Sequence, residues 1–139
     1  MKQQIASRIA CACIICAINA SAQTTAERVG VATGKYYGAV VLLKLISDSR
    51  CSSSLKIGRN EYELSRVKAD INNRIARFVT KDEMREMPKF FATVESDVRK
   101  DFAPIFSNAK LTSDKCPQVA SEFSEMYYKS KDTWQTLTR

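Results

Sequence analysis

The sequence predicts an all-α fold, a compact bundle of about four helices in up-down-up-down order, braced by one disulfide, after a cleaved signal peptide. Three observations point there. Apolar residues recur at spacings of three and four along most of the chain. Threonine–glutamate pairs of the capping-box type stand before two of those runs. Polar connections such as the serine-rich SDSRCSSS separate the runs and are short enough for antiparallel neighbours.

The first 22 residues read as a leader and not as part of the fold. Lys2 and Arg8 form a basic region, Ile9 to Ile18 is a ten-residue apolar run, and Ala20-Ser21-Ala22 supplies the small residues of a cleavage site. Ten apolar residues are too few to cross a bilayer, which takes ~20 in a helix. The expected organisation is therefore a signal peptide over 1–22 and a single helical domain over 23–139, in the periplasm or secreted. Cys11, Cys13 and Cys16 leave with the leader, so the CACIIC run is not a metal or redox site, and none follows a convincing lipobox. Cys51 and Cys116 remain. An even count in an exported chain reads as a disulfide.

The first helix is expected over 25–48. Thr24 caps it and Glu27 reaches back; the serine-rich run SDSRCSSS ends it. The valines of VGVATGKYYGAVV also suit a β-hairpin, but an isolated hairpin is marginal without a sheet to join. On a helix, Gly30, Gly34 and Gly38 form one slowly winding stripe of small residues. Each interior glycine costs about 1 kcal/mol relative to alanine, so close packing of another element against the stripe is expected. That element is a helix of the same bundle, a partner chain, or a membrane helix. Lys35 and Lys44 argue against membrane insertion.

A second helix is expected over 60–79, with Leu64, Val67, Ile71, Ile75 and Phe78 as its apolar face. A third is expected over 81–102, opened by Thr80 and Glu83, interrupted at Pro88, and carrying Phe91, Val94, Val98 and Phe102. A fourth is expected over 117–137, with Pro117 in its first turn and Val119, Phe123, Met126, Ser130, Trp134 and Leu137 buried. In this order Cys51 and Cys116 fall at one end of the bundle, which makes a bond between them geometrically plausible.

Chemistry is conspicuous for what is missing. The chain has no histidine, which removes Ser-His-Asp and Cys-His catalysis and histidine ligation of zinc or haem. The glycine run misses a phosphate loop, since Gly30 and Gly34 are one residue too close and Tyr36 stands where Ser or Thr is required. Two S-x-x-K matches, Ser53–Lys56 and Ser107–Lys110, lie in expected loops and lack the companion motifs of penicillin-recognising enzymes. Glu83 with Glu86 and Asp97 with Asp101 read as solvated helix faces. No catalytic residue, metal or cofactor is expected.

Recognition is the remaining possibility. Without Lys2 and Arg8, 20 basic residues face 15 acidic ones, a net charge of +5, spread along the chain without the basic, aromatic-interleaved run of a nucleic-acid binder. Tyr36 with Lys35, and Tyr128 with Lys129 and Lys131, are candidate partner-binding patches, because tyrosine is a common binding anchor. No motif identifies a family. In layout alone the chain is similar to small periplasmic immunity proteins that neutralise peptidoglycan-cleaving effectors, and loosely to small periplasmic acid-stress chaperones. The expected function is non-enzymatic: an exported helical protein that binds a protein partner as an inhibitor, immunity or accessory factor, with self-association and a periplasmic stress chaperone as alternatives.

Overall fold

The computed structural model describes residues 24–107 and 111–139. The expected leader, with Cys11, Cys13 and Cys16, lies outside them. The described residues form four α-helices and no strand: α1 (Thr25–Ser47), α2 (Leu64–Ile75), α3 (Lys81–Ser107) and α4 (Cys116–Leu137), with short 3₁₀ turns at Ser52–Ser54, Arg59–Tyr62 and Ser113–Lys115.

α1 is the centre. The capping box forms at its start: the Thr24 N–H donates to Glu27 Oε2 at 2.7 Å, and the Glu27 N–H donates to Thr24 Oγ1 at 3.2 Å. Val40, Val41, Leu42 and Leu43 are consecutive and all fully buried. Four consecutive residues point about 100° apart and together span about 300° of the circumference, so this stretch of α1 is enclosed instead of offering one face. It packs most extensively against α4 and α3 and less against α2. By length and composition α1 could also cross a membrane, but 78% of its most apolar window is buried inside this fold.

α4 runs antiparallel to α1: Thr33 meets Trp134, Tyr36 meets Tyr127, and Cys51 meets Cys116. The Cys51–Cys116 disulfide is present, with its Cα atoms 5.0 Å apart, and it closes a sequence separation of 65 residues. α3 meets α4 through Phe102 and Phe106 against Phe123.

Three expectations about the helices need correction. The second helix is shorter, because Glu63 is extended between the Arg59–Tyr62 turn and α2, and the segment after Ile75 turns away. The third does not break at Pro88; it continues through Pro88 and Pro104 to Ser107. Both prolines are exposed, so their rings do not have to be packed against the core. On α4 the fully buried positions are Cys116, Ala120, Tyr127 and Trp134, while Val119, Phe123, Met126 and Leu137 are only partly covered. The buried face is rotated toward Tyr127.

The glycine stripe is not uniform. Gly34 and Gly38 are buried, but a methyl group added at Gly30 would meet no atom within 4 Å. Close packing therefore does not account for Gly30.

Two predictions follow from this packing. Gly30→Ala should raise stability by up to about 1 kcal/mol through helix propensity alone, whereas Gly34→Leu should lower it by roughly 1–3 kcal/mol through overpacking; denaturant titration of both variants reads the difference. Replacing Cys51 and Cys116 together by serine should cost roughly 2–4 kcal/mol, since the bond no longer restricts the unfolded chain. A double variant as stable as the parent would show that the bond adds nothing to the packed core.

Candidate functional site

The polar groups of the structure concentrate around Glu61. The Arg59–Tyr62 turn lays this side chain against α4, where it accepts hydrogen bonds from the Tyr127 hydroxyl and, at 2.6 Å, from Lys131 Nζ. The Lys131 hydrogen bond, followed by that of Tyr127, holds Glu61 below the ordinary glutamate range against the opposing effect of partial burial. Burial and the Glu61 carboxylate push the Tyr127 hydroxyl well up. Tyr36 lies alongside, its ring 6.1 Å from that of Tyr127 and stacked on Trp134 at 4.6 Å. Burial, then the charges of Asp70 and Glu61, raise Tyr36 to about 12.

Two neighbouring hollows flank this cluster and share Asn60, Glu61 and Lys131. One, of about 460 Å³, is open to solvent and lined also by Gly58, Arg59 and Tyr128. The other, of about 260 Å³, reaches down to Tyr36 between Arg66, Asp70 and Gln135. Tyr128 is 57% exposed, one of two large hydrophobic side chains so exposed among the described residues. It packs edge-on against Tyr127, with ring centroids 5.2 Å apart, so it is presented from a fixed base.

A second cluster of the same composition lies elsewhere in the fold. The Tyr37 hydroxyl donates to Glu95 Oε1 at 2.6 Å, and Lys68 pairs with the same oxygen at 2.7 Å. Burial raises the pKa of Glu95, but the hydrogen bonds and charge of Lys68 and Tyr37 outweigh it and the net shift is downward. This cluster joins α1, α2 and α3 and borders neither hollow.

The residues singled out in the sequence divide accordingly. Cys51 and Cys116 are bonded and buried. Tyr128 and Lys129 are exposed on α4, and Lys131 lines both hollows. Tyr36 is a correction: it is 3% exposed, because its ring completes the stack on Trp134, while Lys35 points to solvent. The two do not form a patch. Of the S-x-x-K matches, Ser53 and Lys56 are exposed, and Lys110 lies outside the described residues. Glu83 is occupied in capping, accepting from the Thr80 N–H at 2.6 Å, and Glu86, Asp97 and Asp101 are exposed. Sequence reasoning missed Arg59, Asn60, Glu61, Arg66, Asp70 and Gln135. They come from different segments, and no spacing pattern links them.

Chemically, this surface offers charged and hydrogen-bonding groups: Glu61 accepts from a lysine and a tyrosine through Oε2, and Asp70, two arginines and two amides stand around it. No group of three or more potential ligands among the described residues is placed to hold a metal. Compared with protein-family models, characterised proteins and solved structures, the chain matches none.

The two glutamates set the pH response. Their folded pKa values are depressed, so their stabilisation is complete above the unfolded glutamate pKa of about 4.3 and is lost as pH falls through the folded values. The tyrosines are raised, so their contribution is complete below about 10 and is lost above it. With no histidine in the chain, thermal stability should be flat from about pH 6 to 9 and fall on both sides. Glu61→Gln combined with Glu95→Gln should flatten the acid limb relative to the parent. An acid limb of unchanged depth in the double variant would assign it to other carboxylates.

Proposed function

We propose that this is an exported, non-enzymatic helical protein, released from its leader after Ala22, that acts by binding another protein as an inhibitor, immunity or accessory factor. The observation that carries this reading is Tyr128: a large aromatic ring held out in solvent at the rim of a polar hollow, on a scaffold fixed by a buried disulfide. A rigid aromatic anchor loses little conformational freedom on binding, and tyrosine and arginine dominate interface energetics. The absence of histidine, and the engagement of the Glu61 carboxylate by Lys131 and Tyr127, support a binding role over a chemical one.

A stress-chaperone reading draws on a different observation. Two carboxylates with depressed pKa values tie buried tyrosines to their neighbours, so acid loosens the packing around them.

Affinity capture from envelope and secreted fractions, with the exported and oxidised chain as bait, separates the two. One stoichiometric partner, lost when Tyr128→Ala is the bait, is the expected result. A broad client set that grows on acidification would replace this reading with the chaperone. A partner captured equally by Tyr128→Ala would move the interface off this surface, and a substrate turned over and abolished by a defined point mutation would overturn the non-enzymatic reading altogether.

A further inference from the structure

The charges around the two hollows are not balanced. Both carboxylates that line them are already occupied: Glu61 by Lys131 and Tyr127, and Asp70 by Arg74 at 3.4 Å. Of the three cations that line them, Lys131 is paired with Glu61, whereas Arg59 and Arg66 form no ion pair among the described residues. Arg59 lines the outer hollow, Arg66 lines the inner one, and Lys129 follows Tyr128 on α4. All three are exposed, and none forms an ion pair among the described residues. Between them lie Asn60 and Gln135, whose amides can donate and accept at once. The two hollows adjoin across Asn60, Glu61 and Lys131, with the Tyr128 ring and Arg59 on the outer one and Arg66 and Gln135 on the inner one, and together they form the proposed groove.

We propose that this groove takes an extended acidic segment of a protein partner. The inference rests on the protein-binding reading above and names the partner's chemistry. Guanidinium groups take carboxylates in bidentate geometry. Amides pair with the N–H and C=O groups of an extended backbone. Tyr128 covers the apolar stems of the bound side chains. An anionic membrane surface fits less well, because Arg59 and Arg66 line concave hollows and, of the aromatic side chains lining them, only Tyr128 is exposed.

The probe is a capped hexaglutamate peptide, titrated into the exported, oxidised chain while backbone amide resonances are followed. The expected result is saturable shifts at Arg59, Asn60, Arg66 and Tyr128, weakening as salt is raised. Arg59→Glu with Arg66→Glu should lower the affinity by about tenfold or more, as reversal of contacting charges does. Lys89→Glu with Lys100→Glu, the same charge change on exposed positions of α3, should change it by less than about twofold. Lys129→Glu, with the fold verified by circular dichroism, gives the same reading if the arginine pair fails to fold. Absence of groove shifts, equal effects from both charge-reversed pairs, or binding to anionic vesicles but not to hexaglutamate would each overturn the proposal. A partner captured in a Tyr128-dependent but salt-insensitive manner, unaffected by Arg59→Glu, would overturn the acidic segment while leaving protein binding intact.

Discussion

Everything in this structure follows from the need to take α1 out of water. A helix whose Val40–Leu43 stretch is apolar around the circumference cannot sit on a surface. Each large aliphatic side chain moved out of solvent is worth roughly 1.5–3 kcal/mol, so Val40, Val41, Leu42 and Leu43 alone contribute about as much as the net stability of an ordinary domain. This is an upper estimate, because an unfolded chain already hides part of its surface. The other three helices then act as a jacket. Each has the amphipathic pattern that α1 lacks, and each places its apolar stripe inward.

Enclosing α1 brings polar groups inside as well, and the fold handles them in two ways. Where a hydroxyl is fully internal, it is bonded internally: Thr33 donates to the Val29 carbonyl at 2.7 Å and accepts from Trp134 Nε1 at 3.1 Å. Where the group belongs to a tyrosine, the ring is buried and the hydroxyl emerges beside a glutamate that a lysine holds in place. Tyr127 with Glu61 and Lys131, and Tyr37 with Glu95 and Lys68, are two instances of one solution. An isolated surface ion pair adds little. Here the lysine serves a different end, since it keeps charged the carboxylate that satisfies a buried phenol, whose unpaired hydroxyl would otherwise be costly.

This explains how much of the fold was legible in the sequence. The four helices, both capping boxes and the Cys51–Cys116 bond depend on local spacing and on element order, which a sequence displays. Tyr127 and Tyr36 were not legible as core. A tyrosine beside lysines reads as amphipathic, and the glutamate that makes its burial tolerable lies 66 residues away. The shortened second helix has the same origin: Glu61 is held across to α4, and the turn carrying it stays outside the helix. Pro88 and Pro104 misled in the opposite direction. A proline breaks a helix when its missing bond falls in the interior, and these two face solvent, a fact set by the rotation of α3 against α1. Tyr128 and Lys131 were visible as a patch on α4, but Arg59 and Arg66 became its neighbours only through folding.

The proposed binding surface is thus a by-product of the core. Covering Tyr127 requires Glu61; fixing Glu61 uses the charge of Lys131; and Asp70 is taken by Arg74, whose guanidinium lies 5.5 Å from the centre of the Trp134 ring. Both acids that line the hollows thus have cationic partners beside an aromatic ring. Arg59, Arg66 and Lys129 are left exposed and form no ion pair among the described residues. A modest excess of basic residues, unremarkable when spread along the sequence, becomes a directional field over one groove, because the fold has used the nearby carboxylates elsewhere. In a chain without histidine, that field keeps its strength across the neutral range, and it weakens only with salt.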